Sequence, residues 1–152
     1  TAPKSVRVVL ARTTLVMSRK KGALGRLMPL LKLGVAGPLG SGKQWWAWIS
    51  LQDEAAAIIH LIDNAKAKGA FNITAPEAAT CAQLIASLGK ALSRPTVIPV
   101  PAFALRLAFG EGADELLLCS QKMSAQKLLD SGFVFKHARL QDASNWVVGL
   151  TD

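Results

Sequence analysis

Residues 37–53 read GPLGSGKQWWAWISLQD: Gly37, four residues, then Gly42-Lys43, the spacing of a phosphate-binding loop, but with Gln44 where that loop carries Ser or Thr. A working loop of this kind needs a buried strand leading in, backbone amides around the phosphates, and a helix starting at the lysine so that its positive end faces the anion. The hydroxyl after the lysine then serves magnesium. Here the residues after Lys43, QWWAWIS, are bulky and aromatic and predict a strand from Trp45 to Ser50. The residues before Gly37, GALGRLMPLLKLG, predict a helix. Leu24, Leu27, Met28 and Leu31 fall on one face of it, with an interruption expected at Pro29. The stretch therefore reads as a glycine-rich turn from helix into strand, and not as a nucleotide loop.

Working outward, SVRVVLART predicts a buried strand over Val6 to Arg12. Downstream, Asp53 is the expected N-cap of a helix through EAAAIIHLIDNAK, with Ala55, Ile58, Ile59 and Ile62 as its apolar face and Gly69 as its stop. Lys66 and Lys68 suit the helix's negative end. AFNIT predicts a short strand, and Thr80 opens a helix carrying Leu84, Ile85, Leu88 and Leu92 on one side. RPTVIPVP is extended, AFALRLAFGEGADELLL is helix, glycine break and helix, and SAQKLLDSG is a short helix ended by Gly132. FVFK predicts a last strand and RLQDASNWVVGL a last helix. Strands and helices alternate in the first part and helices dominate the second, the order of an α/β fold with part of an open parallel sheet and a helical appendage. Two units follow from this, 1–94 and 95–152, divided at the proline-punctuated segment.

The chain has 152 residues, of which 51% are hydrophobic and 18% charged, so it builds a core and is not disordered. Its net charge of +8 suits an anionic partner without choosing among nucleotide, nucleic acid and acidic lipid. Cys81 and Cys119 make no disulfide framework, and together with His60 and His137 they lack the spacing of a metal site. No apolar run is long enough for a membrane span, and a reduced, cytoplasmic setting is expected. There is no tyrosine, which removes one class of catalytic acid and base. The chain begins without Met and enters a strand-like run by Val6, which suggests a piece of something longer.

Four segments in order carry a resemblance. VVLARTTLVMSRKKGALGRLMPLLKLGVAGPLGSG, GPLGSGKQWWAWISLQDEAAAI, GAFNITAPEAAT and RPTVIPVPAFALRLAFGEGADELLLCSQKMSAQKLLDSGFVFKH together cover about residues 5 to 145. They resemble the C-terminal portion of extended short-chain dehydrogenase/reductases. More narrowly, they are similar to the NAD(P)-dependent epimerase-like subgroup with a small C-terminal helical domain, some of whose members were labelled cell-division inhibitors. The resemblance implies the later strands of a Rossmann-type parallel sheet followed by a mostly helical, substrate-side domain. Such enzymes bind the dinucleotide at a G-x-x-G-x-x-G turn after their first strand and move protons with a Tyr-x-x-x-Lys pair. Neither motif is in this chain, so it implies no catalytic residue here, no cofactor held by this chain alone, and NAD(P) for a longer parent. The expected partners are the N-terminal Rossmann half and further copies of the chain through open sheet edges.

The resemblance also assigns candidate residues. Gln44, Trp46, Trp48 and Met17 are substrate-side candidates. Thr13 and Thr14, after the end of the first strand, are cofactor-side candidates, since open α/β sheets bind ligands at the C-terminal ends of their strands. In nucleotide-sugar members an Arg often stands two residues after the turn's Gln. Here that place is Trp46, which argues for an apolar or planar ligand between Trp45, Trp46 and Trp48, some of which serve the core. Thr14 stands where the subgroup usually has Gly, and Ala125 where it usually has Pro. Arg12 either pairs with a carboxylate such as Asp53 or faces the cofactor cleft. The run Arg19-Lys20-Lys21, with Arg26 and Lys32, is a solvated loop or a basic stripe. A nucleic-acid-binding or protein-interaction module is thus the rival reading, though no aromatic residue interleaves the basic ones. Glu111, Asp114 and Glu115 read as surface carboxylates, His60 as a half-buried histidine, and Ser41 has no base positioned beside it.

Overall fold

The computed structural model describes residues 6–18, 23–110 and 112–151. The first strand run is one extended segment that changes partners midway. Strand β1 (Val9–Thr13) pairs in parallel with β5 (Gly69–Ile73), and after Thr14, β2 (Leu15–Met17) pairs in parallel with β4 (Trp48–Ser50). The hand-over is pinned at Thr14, whose hydroxyl donates to the Ile73 carbonyl at 3.1 Å. A third pair, β3 (Trp45–Trp46) with β6 (Ala79–Thr80), is antiparallel. Parallel strands followed by C-terminal helices are the architecture the sequence predicts.

Helix α1 (Ala23–Leu33) runs through Pro29 without the expected interruption. Leu24, Leu27, Met28 and Leu31 are all buried, and that packing holds the turn which proline would otherwise open. The predicted Trp45–Ser50 strand breaks at Ala47, whose amide donates to the Gln121 carbonyl and whose carbonyl accepts from Leu15. The glycine-rich turn before it is shaped by close packing. Gly42 has φ +68°, and a Cβ there would lie 2.8 Å from the Pro38 Cβ; at Gly37 a Cβ would collide with the Ile98 carbonyl. With a helix before it and a strand after it, this turn has none of the geometry of a phosphate loop.

Helix α2 (Leu51–Asp63) corrects three expectations. Its N-cap is Ser50 and not Asp53: the Ser50 hydroxyl accepts from the Asp53 amide at 3.1 Å, which puts Asp53 in the first turn. Its buried stripe is Asp53, Glu54, Ala57 and Leu61, while Ile59 and Ile62 are 59% and 64% exposed and Ile58 is exposed beside them. Both sides of the helix are apolar, and the side set by the Ser50 cap faces the sheet. It ends at Asn64, and Gly69 instead begins β5 with φ +74°. Arg7 closes this region by donating to the carbonyls of Leu61, Ile62 and Ala67.

Helix α3 (Cys81–Leu92) starts at Thr80, whose hydroxyl caps Gln83 while the Gln83 side chain accepts from the Thr80 amide. Leu84, Ile85 and Leu88 are fully buried against α1 and α6 (Leu140–Val148). One core cluster contains Met17, Leu31, Trp48, Leu88, Leu140 and Val147, and a second contains Ile49, Phe71, Leu128 and Phe133, so each draws on both sequence units. Between them lie α4 (Ala102–Phe109), a π-helical turn at Ala113–Leu118 and α5 (Gln126–Asp130). Arg106 and Asp114 join the first two with a two-pronged surface ion pair. The stretch expected as a last strand, FVFK, forms none. The Lys136 amide donates to Asp53 Oδ1 at 2.8 Å instead of to a neighbouring strand.

Candidate functional site

A cavity of about 410 Å³ lies where β1 gives way to β2, at the C-terminal end of a parallel strand. Its lining includes Thr13 and Thr14 at the end of β1, Leu24 and Leu27 of α1, and Trp45 and Trp46 of β3. Glu115, Leu117, Cys119 and Gln121 complete the lining. The lining is mostly apolar, with a few polar groups at the rim, as small-molecule sites are.

Of the predicted residues, Thr13, Thr14 and Trp46 line this cavity. Trp46 does so while its indole N–H donates to the Leu117 carbonyl at 3.1 Å, which fixes the ring plane. Gln44, Trp48 and Met17 are buried and are not among its lining residues. The Gln44 amide donates to the carbonyls of Leu39 and Leu117, both at 3.0 Å, so it ties the glycine-rich turn to the π-helical turn. Trp48 and Met17 belong to the core, and the Trp48 indole nitrogen is buried without a hydrogen-bond partner.

The threonine hydroxyls are both engaged within the chain, Thr14 with Ile73 and Thr13 with the Glu54 carboxyl. Burial pushes the Glu54 carboxyl above its ordinary range, and the Thr13 hydroxyl draws it partly back. The strand-to-helix junctions at Ser50–Leu51 and Thr80–Cys81 carry no glycine. Neither junction therefore carries the glycine turn of a dinucleotide phosphate cradle.

A second polar group has the residue types of a hydrolase triad without its geometry. Ser50, Asp53 and His137 are all buried, with His137 Nδ1 3.0 Å from Ser50 Oγ. The Ser50 hydroxyl donates to Asp53 Oδ2 at 2.9 Å, and Asp53 also accepts the Lys136 and His137 amides. This cluster fastens the C-terminal segment to the start of α2 and leaves no nucleophile exposed. Arg12 is exposed, and the Asp53 carboxylate expected as its possible partner is occupied by those groups.

His60 is half-buried, 3.0 Å from the Ser131 hydroxyl and edge-on to Phe133. Ser41 is exposed, and its hydroxyl donates to the Gln44 side chain. Arg19, Lys20, Lys21 and Glu111 lie outside the described residues. Among the described residues no group of His, Cys, Asp and Glu is arranged to hold a metal ion, and no helix is long and apolar enough to cross a membrane. Sequence reasoning missed Cys119 and Gln121, and the latter meets Trp46 only through a long-range parallel bridge that no local pattern announces.

The family described as "Domain of unknown function (DUF1731)" matches residues 100–147. The chain is 38% identical over 140 residues to the epimerase family protein ML0860 of Mycobacterium leprae, covering 92% of this chain and 46% of that one. It is 42% identical over 137 residues to the epimerase family protein MT2273 of Mycobacterium tuberculosis, covering 90% and 46%. Among solved structures it is similar to human epimerase family protein SDR39U1 (isoform 2) with NADPH, with a TM-score of 0.92 and 31% identity over 97% of this chain and 50% of that one. The chain thus spans about half the length of the curated relatives it matches.

Proposed function

Because this chain belongs to the epimerase family of extended short-chain dehydrogenase/reductases, we propose that it forms the substrate-side wall of an NAD(P)-dependent oxidoreductase cleft and does no chemistry alone. The observation that carries this reading is the cavity at the end of β1, lined by Thr13, Thr14, Trp45 and Trp46. Its role is to receive and orient the substrate and to exclude water from it. The dinucleotide, when bound to the complete cleft, supplies the hydride chemistry. On this reading a tyrosine-based proton-transfer pair lies outside this chain, which has no tyrosine.

The same wall bears on the substrate. Trp46 presents a large flat ring whose only polar atom is already bonded to Leu117, so it offers stacking and not an anion grip. We therefore assign an apolar or planar substrate in place of a nucleotide sugar. The test is a fluorescence titration with NADPH. The chain alone should give no saturable signal, whereas a chimera in which the unmatched half of MT2273 precedes this chain should bind. Tight NADPH binding by the chain alone, or none by a folded chimera, refutes the reading.

A further inference from the structure

The exposed apolar side chains include a group that the cavity does not use. Leu33 and Val35 at the end of α1, Val97 and Ile98 on the proline-punctuated segment, and Phe103 and Leu107 of α4 are 48% to 88% exposed. They belong to one region of the surface. A Cβ on Gly34 would sit 3.4 Å from the Pro95 ring, and one on Gly37 would collide with the Ile98 carbonyl. The Val100 amide donates to the Pro38 carbonyl and the Gly40 amide to the Val100 carbonyl, so 34–40 and 95–100 run side by side and lead directly into α4. Phe103 and Leu107 each stand two residues from the buried Leu105, which places them on the opposite side of that helix. The segment before α4 is clasped to α3: the Arg94 amide donates to the Gly89 carbonyl, and Thr96 fills the space where a Gly89 Cβ would lie. Val97 and Ile98 are therefore held outward by a fixed backbone.

In this region the positive charge of the chain is also uncompensated. None of the 10 acidic residues lies in 1–52 or 78–110, the stretches that supply the face. Lys32 in the last turn of α1, Lys90 in the last turn of α3 and Arg94 just beyond it are exposed, and none forms an ion pair among the described residues. Arg106 of α4 is matched by Asp114 and adds no net charge. Projecting apolar side chains bordered by unmatched cations suit a lipid surface. The apolar groups enter the boundary between headgroups and acyl chains, and the cations meet the anionic headgroups.

We propose that this face binds the surface of an anionic lipid bilayer. Val97, Ile98, Phe103 and Leu107 enter the interface, and Lys32, Lys90 and Arg94 meet the headgroup phosphates. Charge and shape choose this occupant over others. A second copy packed about a twofold axis brings the same unmatched cations against themselves. A nucleic acid uses the cations and stacks on aromatic rings, but leaves Leu33, Val35, Val97 and Ile98 without partners. The side chains project instead of lining a groove, which suits a fluid interface that closes around them. The N-terminal half expected at the open sheet edges would meet β1, which packs with β5 and α2 on the cluster of Ile49, Phe71 and Leu128. The present face is built on the other cluster, through Leu31 of α1, Leu88 of α3 and Leu105 of α4. The inference stands apart from the cavity and from the function read from it.

The test is flotation of the full chain with vesicles of phosphatidylcholine alone or of phosphatidylcholine mixed with phosphatidylglycerol. The chain should bind the mixed vesicles about tenfold or more tightly than the neutral ones, and less tightly as salt is raised. Phe103→Ser with Leu107→Ser keeps the charge and should weaken binding about tenfold or more. Lys32→Gln with Arg94→Gln should weaken it about as much and also flatten the salt dependence. All four positions are exposed, so the urea midpoint of each variant should stay at that of the parent. Ile59→Ser on α2 and Lys66→Gln after it, also exposed, should leave vesicle binding unchanged, which separates this face from general stickiness and net charge. The chimera with the unmatched half of MT2273 should bind the mixed vesicles equally well. Equal binding to neutral and mixed vesicles, unchanged binding in both double variants, or binding lost in the chimera overturns the proposal. Self-association without lipid that the Phe103 and Leu107 double variant abolishes, with no vesicle binding, gives the face to a second copy and also overturns it. NADPH binding by the chimera is read separately, so either reading can fail while the other stands.

Discussion

Asp53 and His137, 84 residues apart, meet where the His137 amide donates to Asp53 Oδ2 at 2.9 Å. The same carboxylate accepts from the Lys136 amide and the Ser50 hydroxyl, so one side chain satisfies both the start of α2 and the segment leading into α6. An amide in its place turns one acceptor into a donor that faces another donor. Asp53→Asn should therefore cost about 3 kcal/mol, read as a lower urea midpoint at unchanged slope. A midpoint equal to that of the parent chain would refute the anchoring role.

The two buried tryptophans give a matched comparison. Trp46→Phe and Trp48→Phe remove the same atoms, but only Trp46 donates its indole N–H, to Leu117; the Trp48 nitrogen has no partner. Trp46→Phe should be the costlier by about 1 kcal/mol in chemical denaturation, since it alone breaks a hydrogen bond. Equal losses would mean that the bond to Leu117 contributes nothing.

Glu54 makes the stability of the isolated chain depend on pH. Burial raises its carboxyl above the ordinary value of 4.5, so the folded chain holds that proton more tightly than the unfolded chain does. The resulting stability is fully present below the ordinary value, falls as pH rises through the raised folded value, and then levels off. Glu54→Gln cannot ionise and lacks this fall. Its melting temperature relative to the parent should climb as pH rises from the ordinary carboxyl value through the raised folded one, by roughly 2–4 °C for each kcal/mol involved. A constant difference across that range would contradict the assignment.

The thiols should separate cleanly. Cys81 is fully buried at the start of α3 and burial pushes its thiol up to about 11, so it has little thiolate near neutrality. Cys119 is exposed at the cavity. Iodoacetamide on the folded chain should label Cys119 alone, and Cys81 only after denaturant is added. Mass spectrometry showing early Cys81 labelling would overturn this order.

How much of this was legible in the sequence depended on how local the determining contacts are. Helix α3 was readable, because its cap lies in Thr80 and Gln83 and its buried face in Leu84, Ile85 and Leu88 a few residues on. The glycine-rich turn was readable because the aromatic residues after it cannot start a phosphate-binding helix. The face of α2 was not, since apolar residues occupy both sides and only the sheet chooses between them. FVFK carries a strand's composition, yet what receives the Lys136 amide is a carboxylate 83 residues earlier. Of the candidate site, Thr13, Thr14 and Trp46 were nameable from their places at the strand end and after the turn. Gln44 followed the same pattern but is bonded inward, a distinction settled by where Leu39 and Leu117 lie.

One backbone oxygen sets how this wall responds to change. The Leu117 carbonyl, near the end of its π-helical turn where such groups lack helical donors, receives both Gln44 and Trp46. Two side chains from the first third of the sequence and a late helical segment are thereby referenced to a common point, and none can be displaced without the others registering it. On the function proposed above, selectivity is a joint property: reshaping the cavity requires coordinated changes at positions far apart in the chain.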